Sequence, residues 1–205
     1  KFMIGNEACE RFSFYGMRSI LVIFMVQYLL MNEPDSKAAY HIFVSACYLV
    51  PLLGAWIADH FWGKYKTILY LSIVYCLGHA SLAVWDTKTG LFFGLGLIAL
   101  GAGGIKPCVS AYVGDQFTHE NKHLVKAVYD IFYWSINFGS FFSTMIIPWV
   151  LPKFGPGWAF GIPGVLMAVA TLIFWSARGL YTNVPPSAKM GSAGMQCAAN
   201  CAACS

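Results

Sequence analysis

The chain has 205 residues, of which 58% are hydrophobic, 17% aromatic and only 11% charged, and its mean hydropathy is +0.61. Soluble domains carry about 25% charged residues and about 45–50% apolar ones, so this chain has too few charges to cover a water-soluble globule. The composition excludes a typical cytosolic enzyme, a disordered chain and a nucleic-acid-binding module. It predicts an integral membrane protein whose surroundings are the lipid bilayer.

Six apolar stretches follow one another along the chain, each of a length suited to a membrane helix of about 20 residues. They cover residues 6–31, 38–58, 67–85, 91–113, 125–150 and 158–177. Membrane β-strands would instead alternate with a period of two over about ten residues. The short connections contain turn residues such as Asn, Gly and Pro. The sequence therefore predicts an all-α membrane bundle of six transmembrane helices over residues 1–182.

The distribution of Lys and Arg predicts the orientation of the bundle. With the N-terminus inside, the cytoplasmic segments hold Lys1, Lys64, Lys66, Lys122, Lys126, Arg178 and Lys189, and the outside loops hold Lys37, Lys88 and Lys153. The positive-inside rule favours this orientation. We therefore expect a multi-pass protein of a cell membrane, plasma or inner, with a cytoplasmic N-terminus.

The two ends of the chain indicate a fragment. Residue 1 is Lys rather than an initiator Met, and residues 183–205 are rich in Ala, Gly and Cys without a period that could bury a face. We expect this tail to be disordered or aberrant, the product of a shifted reading frame or a vector-derived end. Cys197, Cys201 and Cys204 could hold a soft metal, but no fourth ligand is near them and the histidines show no ligand spacing. No metal site is expected.

The first predicted helix carries four charged residues: Glu7, Glu10, Arg11 and Arg18. At 100° per residue these four side chains and Tyr15 fall within one sector of about 140°. Charges at membrane depth usually face a partner or a water-filled cavity, so we expect this face to line a polar cavity. A helix end in the headgroup layer is the alternative, which Arg18 disfavours because it lies about 16 Å further along than Glu7.

The fourth predicted helix contains a run of glycines that leads to Lys106 and Pro107. Glycines permit close contact between helices, and proline removes a backbone donor and favours a kink. A lysine at this depth needs a counter-charge, for which Glu7 and Glu10 are the nearest chemical candidates. Protonation of the carboxylate would then release the base for another ligand, and a purely structural ion pair is the alternative.

Polar side chains also recur on the second and fifth predicted helices. Tyr129, Tyr133, Asn137 and Ser140 follow one another at helical spacing, and Tyr48 is an isolated polar side chain of the second helix. Each of these alone is more often an interhelical hydrogen bond than a ligand contact. Together with the charges of the first helix, they indicate a cavity with both donors and acceptors.

The loop between the second and third helices has a different character. It combines the acidic helix end at Asp59, a tight turn at Gly63 and the basic Lys64. Such a combination can lock the two helices together at the cytoplasmic face. We interpret it as a gate or hinge rather than a binding site.

Four stretches of the chain resemble a known family. Residues 7–16 (EACERFSFYG) resemble the ExxERFxYYG opening of the proton-dependent oligopeptide transporters of the major facilitator superfamily, with Phe14 where many members have Tyr. Residues 104–117 (GIKPCVSAYVGDQF) are similar to the second signature of that family, and residues 132–140 (FYWSINFGS) look like its helix 5 signature. The loop at residues 54–66 resembles the facilitator-type loop between helices 2 and 3.

The resemblance extends over about residues 4–186 and implies the six-helix N-terminal bundle of a major facilitator superfamily transporter, built as a 3+3 inverted repeat. It implies proton-coupled symport of di- and tripeptides, with protons as the coupling ion and no bound cofactor. The residues implied in proton coupling and gating salt bridges are Glu7, Glu10, Arg11 and Lys106. Those implied in substrate binding are Tyr15, Arg18, Tyr48, Lys106, Tyr133 and Asn137, and those in the gating loop are Asp59, Gly63 and Lys64.

Members of that family have two six-helix halves with the substrate at their interface. Here we expect the second half to be missing, including the carboxylate that would bind a peptide amino terminus. The chain is expected to carry the chemistry of the N-terminal half, while transport by the chain alone stays open. Two alternatives also stay open: a related transporter for nitrate or another small anion, and a non-transporting membrane fragment.

Overall fold

The computed structural model describes residues 2–117 and 119–182, so the predicted tail with its three cysteines lies outside the described residues. The described chain forms six long helices: α1 (Phe2–Gln27), α2 (Glu33–Ile57), α3 (Lys64–Val84), α4 (Lys88–Gly114), α5 (Val125–Phe154) and α6 (Pro156–Ser176). A π-helical turn at Ala58–Trp62 extends α2, and 3₁₀ turns occupy His119–Leu124 and Ala177–Leu180. The predicted all-α architecture of six helices is confirmed.

Four segments of the described chain are long and apolar enough to cross a membrane: Glu33–Trp62, Lys64–Val84, Lys88–Gly114 and Pro156–Leu180. The other two long helices, α1 and α5, are of comparable length and lie outside this set. Charged groups lie along α1, and hydroxyl and amide side chains recur along α5. These two helices also carry most of the predicted site.

The helix contacts repeat between α1–α3 and α4–α6. The contact of α1 with α5 corresponds to the contact of α4 with α2. The contact of α1 with α6 corresponds in the same way to the contact of α4 with α3. Helices α3 and α6 pack against each other, whereas α1 and α4 have few contacts. Exchange of the first three helices with the last three maps these main contacts onto one another, in agreement with the predicted 3+3 repeat.

Small residues allow the close packing of α4. A methyl group added at Gly54 of α2 would overlap Cα of Gly104, and one added at Gly101 would lie 2.6 Å from Cβ of Tyr75 on α3. The Cys108 thiol lies 3.8 Å from the Gly54 carbonyl oxygen. The glycine run before Lys106 is therefore a packing surface of the kind found between membrane helices, and it brings α4 between α2 and α3.

Helix α1 is enclosed by α5 and α6. Met17, Ile20 and Leu21 are fully buried, and the Ser13 hydroxyl donates a hydrogen bond of 2.7 Å to the Pro163 carbonyl oxygen of α6. A methyl group at Gly16 would lie 2.7 Å from the Ile147 side chain of α5. These contacts fix α1 along its length, so its polar N-terminal third lies inside the bundle.

Exposed tryptophans mark the two ends of the bundle. Trp56, Trp62 and Trp175 lie at the end where α2 and α6 finish, and Trp85, Trp149 and Trp158 lie at the end where α3 and α5 finish. Tryptophan is enriched where a membrane meets water. The two groups are therefore the arrangement expected of helices that cross the bilayer in alternating directions, with Trp134 in the middle of α5 as the exception.

Candidate functional site

The first part of α1 brings two glutamates into the interior of the bundle. Glu7 and Glu10 are 1% and 0% exposed. Arg11 donates to Oε1 of Glu7 from Nε at 2.7 Å and from Nη2 at 2.6 Å, and its Nε lies 3.2 Å from Oε2 of Glu10. One guanidinium group therefore lies between two carboxylates.

The hydrogen bonds within this group are divided unequally. Oε1 of Glu7 accepts both hydrogen bonds from Arg11, whereas Oε2 of Glu7 and both oxygens of Glu10 have no hydrogen-bond partner among the described residues. All three unpaired oxygens are shielded from solvent. Glu10 on either oxygen, and Glu7 on Oε2, can therefore accept a proton without breaking a hydrogen bond, while protonation of Glu7 on Oε1 would compete with Arg11.

Lys106 does not form the predicted ion pair with Glu7 or Glu10. Its Nζ lies 4.3 Å from the centroid of the Phe14 ring, a cation–π geometry, and the salt bridges of the described chain do not include it. The Arg11 guanidinium already contacts both carboxylates, and Phe14, one turn beyond Glu10, offers its electron-rich face to Lys106. Within the described residues the ion pairs thus join Glu7, Glu10 and Arg11, while the place of Lys106 in the network stays a prediction.

Arg18 contacts α2 and remains partly exposed. Its Nε donates a hydrogen bond of 2.6 Å to Oη of Tyr40, and its Cζ lies 5.5 Å from the centre of that ring. Tyr40 was missed by the sequence analysis because it is a single uncharged residue near the start of an apolar stretch. Its spacing from the buried Phe43 and Cys47 is the signal that could have placed it on the inner face of α2.

The other predicted binding residues are mostly accessible. Tyr15 is half-buried and packs edge-on against Phe14, with ring centroids 5.6 Å apart. Tyr48 is 73% exposed and Tyr133 is 57% exposed, and Asn137 is also exposed. These side chains are therefore available to a ligand or to a further helix.

Tyr129, one turn before Tyr133, has a structural contact. Its hydroxyl donates a hydrogen bond of 2.9 Å to the Ser110 carbonyl oxygen of α4. Ser140 donates back to the Asn137 carbonyl oxygen of its own helix at 3.0 Å. The Tyr129 hydrogen bond therefore joins α5 to α4, whereas that of Ser140 stays within α5.

The predicted gating loop reaches a helix that the sequence did not connect to it. Gly63 separates the π-helical turn, which contains Asp59, from α3 and adopts a φ of 76°, a backbone conformation that glycine tolerates best. Lys64, the first residue of α3, forms an ion pair of 2.7 Å with Oδ2 of Asp115. Lys64 therefore links the start of α3 to the end of α4, and the expected lock between α2 and α3 stays a prediction.

The chain beyond α6 is fastened to the same end of α4. The Gln116 side chain donates from Nε2 to the Thr182 carbonyl oxygen at 3.0 Å, and the Thr182 amide donates to its Oε1 at 2.9 Å. The Tyr181 ring stacks on Phe174 with centroids 5.1 Å apart. Burial, and to a smaller extent the neighbouring Tyr65, raises the pKa of Tyr181 to about 12, so this contact carries no charge near neutral pH.

Comparison with known proteins places this fold and site in one family. A model of the POT family matches residues 65–204. Solute carrier family 15 member 2 of Danio rerio is 46% identical over 200 residues, which cover 90% of this chain and 28% of that protein. The crystal structure of the POT family transporter PepTSo has a TM-score of 0.88 at 52% identity over 92% of this chain and 39% of that one.

A further structure, of a mutant peptide transporter POT in complex with alafosfalin, has a TM-score of 0.85 at 30% identity over 99% of this chain and 43% of that one. The chain therefore belongs to the POT family, a family of transporters, and is a multi-pass integral membrane protein with the six-helix architecture that the sequence predicted. It spans less than a third of the length of the curated relatives that it matches.

Proposed function

We propose that this chain is the N-terminal half of a proton-coupled symporter for di- and tripeptides, and that a second six-helix half completes the transport path. The observation that carries the proposal is the buried group of Glu7, Glu10 and Arg11 beside Lys106, a cation without a carboxylate partner among the described residues. The structure solved with alafosfalin is named a peptide transporter, which supports peptides over nitrate as the substrate.

Glu10 is the proposed site of proton uptake. With both glutamates ionised, Glu7, Glu10 and Arg11 together carry one negative charge. Protonation of Glu10 makes the group neutral and leaves both hydrogen bonds between Arg11 and Glu7 in place. An uncompensated charge is costly in a low-dielectric interior. The group of Glu7, Glu10 and Arg11 is therefore more stable in a dry interior when it is neutral than when it carries a charge. This difference in stability would couple proton uptake to a change of conformation.

Lys106 and Arg18 are the proposed partners of a peptide carboxylate. Lys106 has no ion-pair partner among the described residues and lies over the Phe14 ring, and a carboxylate would replace that contact with a stronger charge–charge interaction. Arg18 offers a planar guanidinium suited to carboxylates and is already oriented by Tyr40. Since peptides of different sequence share only their termini and backbone, charged anchors at these points would permit varied side chains.

The remaining predicted residues have proposed supporting roles. Tyr15, Tyr48, Tyr133 and Asn137 would contact the peptide backbone, since three of them are exposed and Tyr15 is half-buried. The ion pair between Lys64 and Asp115, with the turn at Gly63 and Asp59, would act as a gate. We place the N-terminus and this gate on the cytoplasmic side of a plasma or inner membrane, with protons as the coupling ion and no other cofactor.

Peptide uptake into proteoliposomes tests the proposal. A version of the chain completed with a second six-helix half is expected to accumulate a dipeptide when an inward proton gradient is imposed, and the chain alone is expected not to. Accumulation that ignores the gradient would reject proton coupling. Accumulation of nitrate in place of the dipeptide would support the alternative substrate, and inactivity of both proteins would favour a non-transporting fragment.

A further inference from the structure

The side chain of Asn6 is polar and buried next to the site, and it has no role in the proposed function. Asn6 precedes Glu7 on α1, is 3% exposed and borders an apolar cavity between α1 and α6. Neither its Nδ2 nor its Oδ1 has a hydrogen-bond partner among the described residues. Buried amides are nearly always hydrogen-bonded in native proteins, so a neighbouring group that offers both a donor and an acceptor would satisfy Asn6.

Glu10 is the neighbour of Asn6 on the same face of α1. Residues four apart on a helix have Cβ atoms about 5–6 Å apart, which is within reach of a direct contact between two side chains of this length. Both oxygens of Glu10 are also buried without a hydrogen-bond partner among the described residues, although Oε2 lies 3.2 Å from Nε of Arg11. Four polar atoms without a hydrogen bond therefore lie on adjacent turns of one helix, and all four are shielded from solvent.

A carboxyl group and a carboxamide complement each other fully only when the carboxyl group is protonated. The O–H of Glu10 then donates to Oδ1 of Asn6, and Nδ2 of Asn6 donates to the carbonyl oxygen of Glu10. The ionised carboxylate can accept from Nδ2 but leaves Oδ1 without a donor. The proton stays on Glu10 throughout, and Asn6 only shares it through the hydrogen bond.

We propose that Asn6 is a positioning residue that holds Glu10 in its protonated form and so sets the pH at which the site takes up its proton. This inference rests on the proposed role of Glu10 in proton coupling. The titratable and charged groups that act on Glu10 come from four helices: Glu7 and Arg11 on α1, Cys47 on α2, Tyr75 on α3 and Lys106 on α4.

Asn6 differs from these neighbours in the way that it favours one protonation state of Glu10. The two cations, Arg11 and Lys106, stabilise ionised Glu10, and Glu7 disfavours it by like charge. The Tyr75 hydroxyl lies 3.5 Å from the Glu10 backbone oxygen rather than from its carboxyl group. Asn6 is thus the neutral side chain that can select the protonated form by hydrogen bonding.

Infrared difference spectroscopy of the chain in lipid vesicles, titrated with pH, tests this role. The carboxylic C=O band of Glu10 is identified by its loss in Glu10→Gln. In Asn6→Leu we expect this band to move to higher frequency and its midpoint to fall by about one pH unit, the effect of one lost hydrogen bond to the protonated form. Asn6→Ala, which adds no bulk, is expected to do the same if Asn6→Leu fails to fold.

Ser72→Ala is the matched control, because Ser72 is another buried side chain whose hydroxyl has no hydrogen-bond partner among the described residues, on α3. It is expected to leave the Glu10 band and midpoint unchanged. An unchanged band and midpoint in both Asn6 variants, or an equal shift in Ser72→Ala, would overturn the inference. Because this readout needs no transport, it is separate from the uptake test, whose failure would reject the proposed function instead.

Discussion

The ammonium group of Lys106 lies 4.3 Å from the centre of the Phe14 ring. This contact joins α1 to α4, two helices that otherwise touch little. It keeps a partly buried cation beside two buried carboxylates without forming an ion pair with either of them. The basic group of α4 is therefore held by a weak partner that an anion can replace.

The energy of this contact can be measured with a double-mutant cycle. We expect Phe14→Leu and Lys106→Met each to lower the free energy of unfolding, and the two changes together to cost about 1 kcal/mol less than their sum, the typical size of a cation–π contact. Phe14→Tyr keeps the ring and should leave the coupling intact. Thermal unfolding of the chain in detergent gives the four values, and strict additivity would show that the two side chains do not interact.

Arg11 is expected to be the most sensitive position of the site. Arg11→Met leaves Glu7 and Glu10 buried without their cation, and breaking a buried ion pair in this way costs about 3–5 kcal/mol. Since the cause is uncompensated negative charge, the double variant Arg11→Met/Glu10→Gln should recover part of the loss in the free energy of unfolding. A double variant no more stable than Arg11→Met alone would contradict this explanation.

The contact between Gln116 and Thr182 is expected to protect the chain beyond α6 from proteolysis. Gln116→Ala removes both hydrogen bonds, so tryptic cleavage after the exposed Arg178 should accelerate by about tenfold, the effect of roughly 1–2 kcal/mol. Cleavage after Lys88 serves as an internal reference. Gln27→Ala changes an exposed glutamine at the end of α1 and should have no effect, and equal rates in both variants would contradict the prediction.

Leu30 offers a stabilising substitution. It is 82% exposed and has a φ of 50°, in the left-handed region that costs a non-glycine residue about 1–2 kcal/mol. Leu30→Gly should therefore raise the free energy of unfolding by about 1 kcal/mol. Leu180→Gly, at an exposed leucine without positive φ, should bring no gain, and a loss of stability in Leu30→Gly would show that the backbone there is not strained.

The sequence was informative wherever a residue type is rare in its surroundings. Glu7, Glu10 and Arg11 could be placed inside the bundle because few charges occur in apolar stretches and each needs a partner. The six helices could be placed because apolar stretches of that length have few alternatives in lipid. The family resemblance added the 3+3 arrangement, which the helix contacts repeat.

The contacts between helices could not be predicted in the same way. The pairing of Lys106 with Phe14 and of Arg18 with Tyr40 depends on how α1 crosses α4 and α2, which no local pattern specifies. The hydrogen bonds between Gln116 and Thr182 join residues 66 positions apart. They use the backbone of Thr182, so the type of residue at position 182 could not predict them. Opposite charge suggested an ion pair between Lys106 and the glutamates, but Arg11 lies closer to both carboxylates and pairs with them instead.

The central claim is that Glu10 couples proton movement to peptide transport, and one comparison tests it most directly. In proteoliposomes that hold the version completed with a second six-helix half, Glu10→Gln is expected to abolish accumulation of a dipeptide driven by an inward proton gradient. The same variant should retain exchange of the dipeptide between the two sides without a gradient. Gradient-driven accumulation that persists in Glu10→Gln, or an equal loss of accumulation and exchange, would contradict the account.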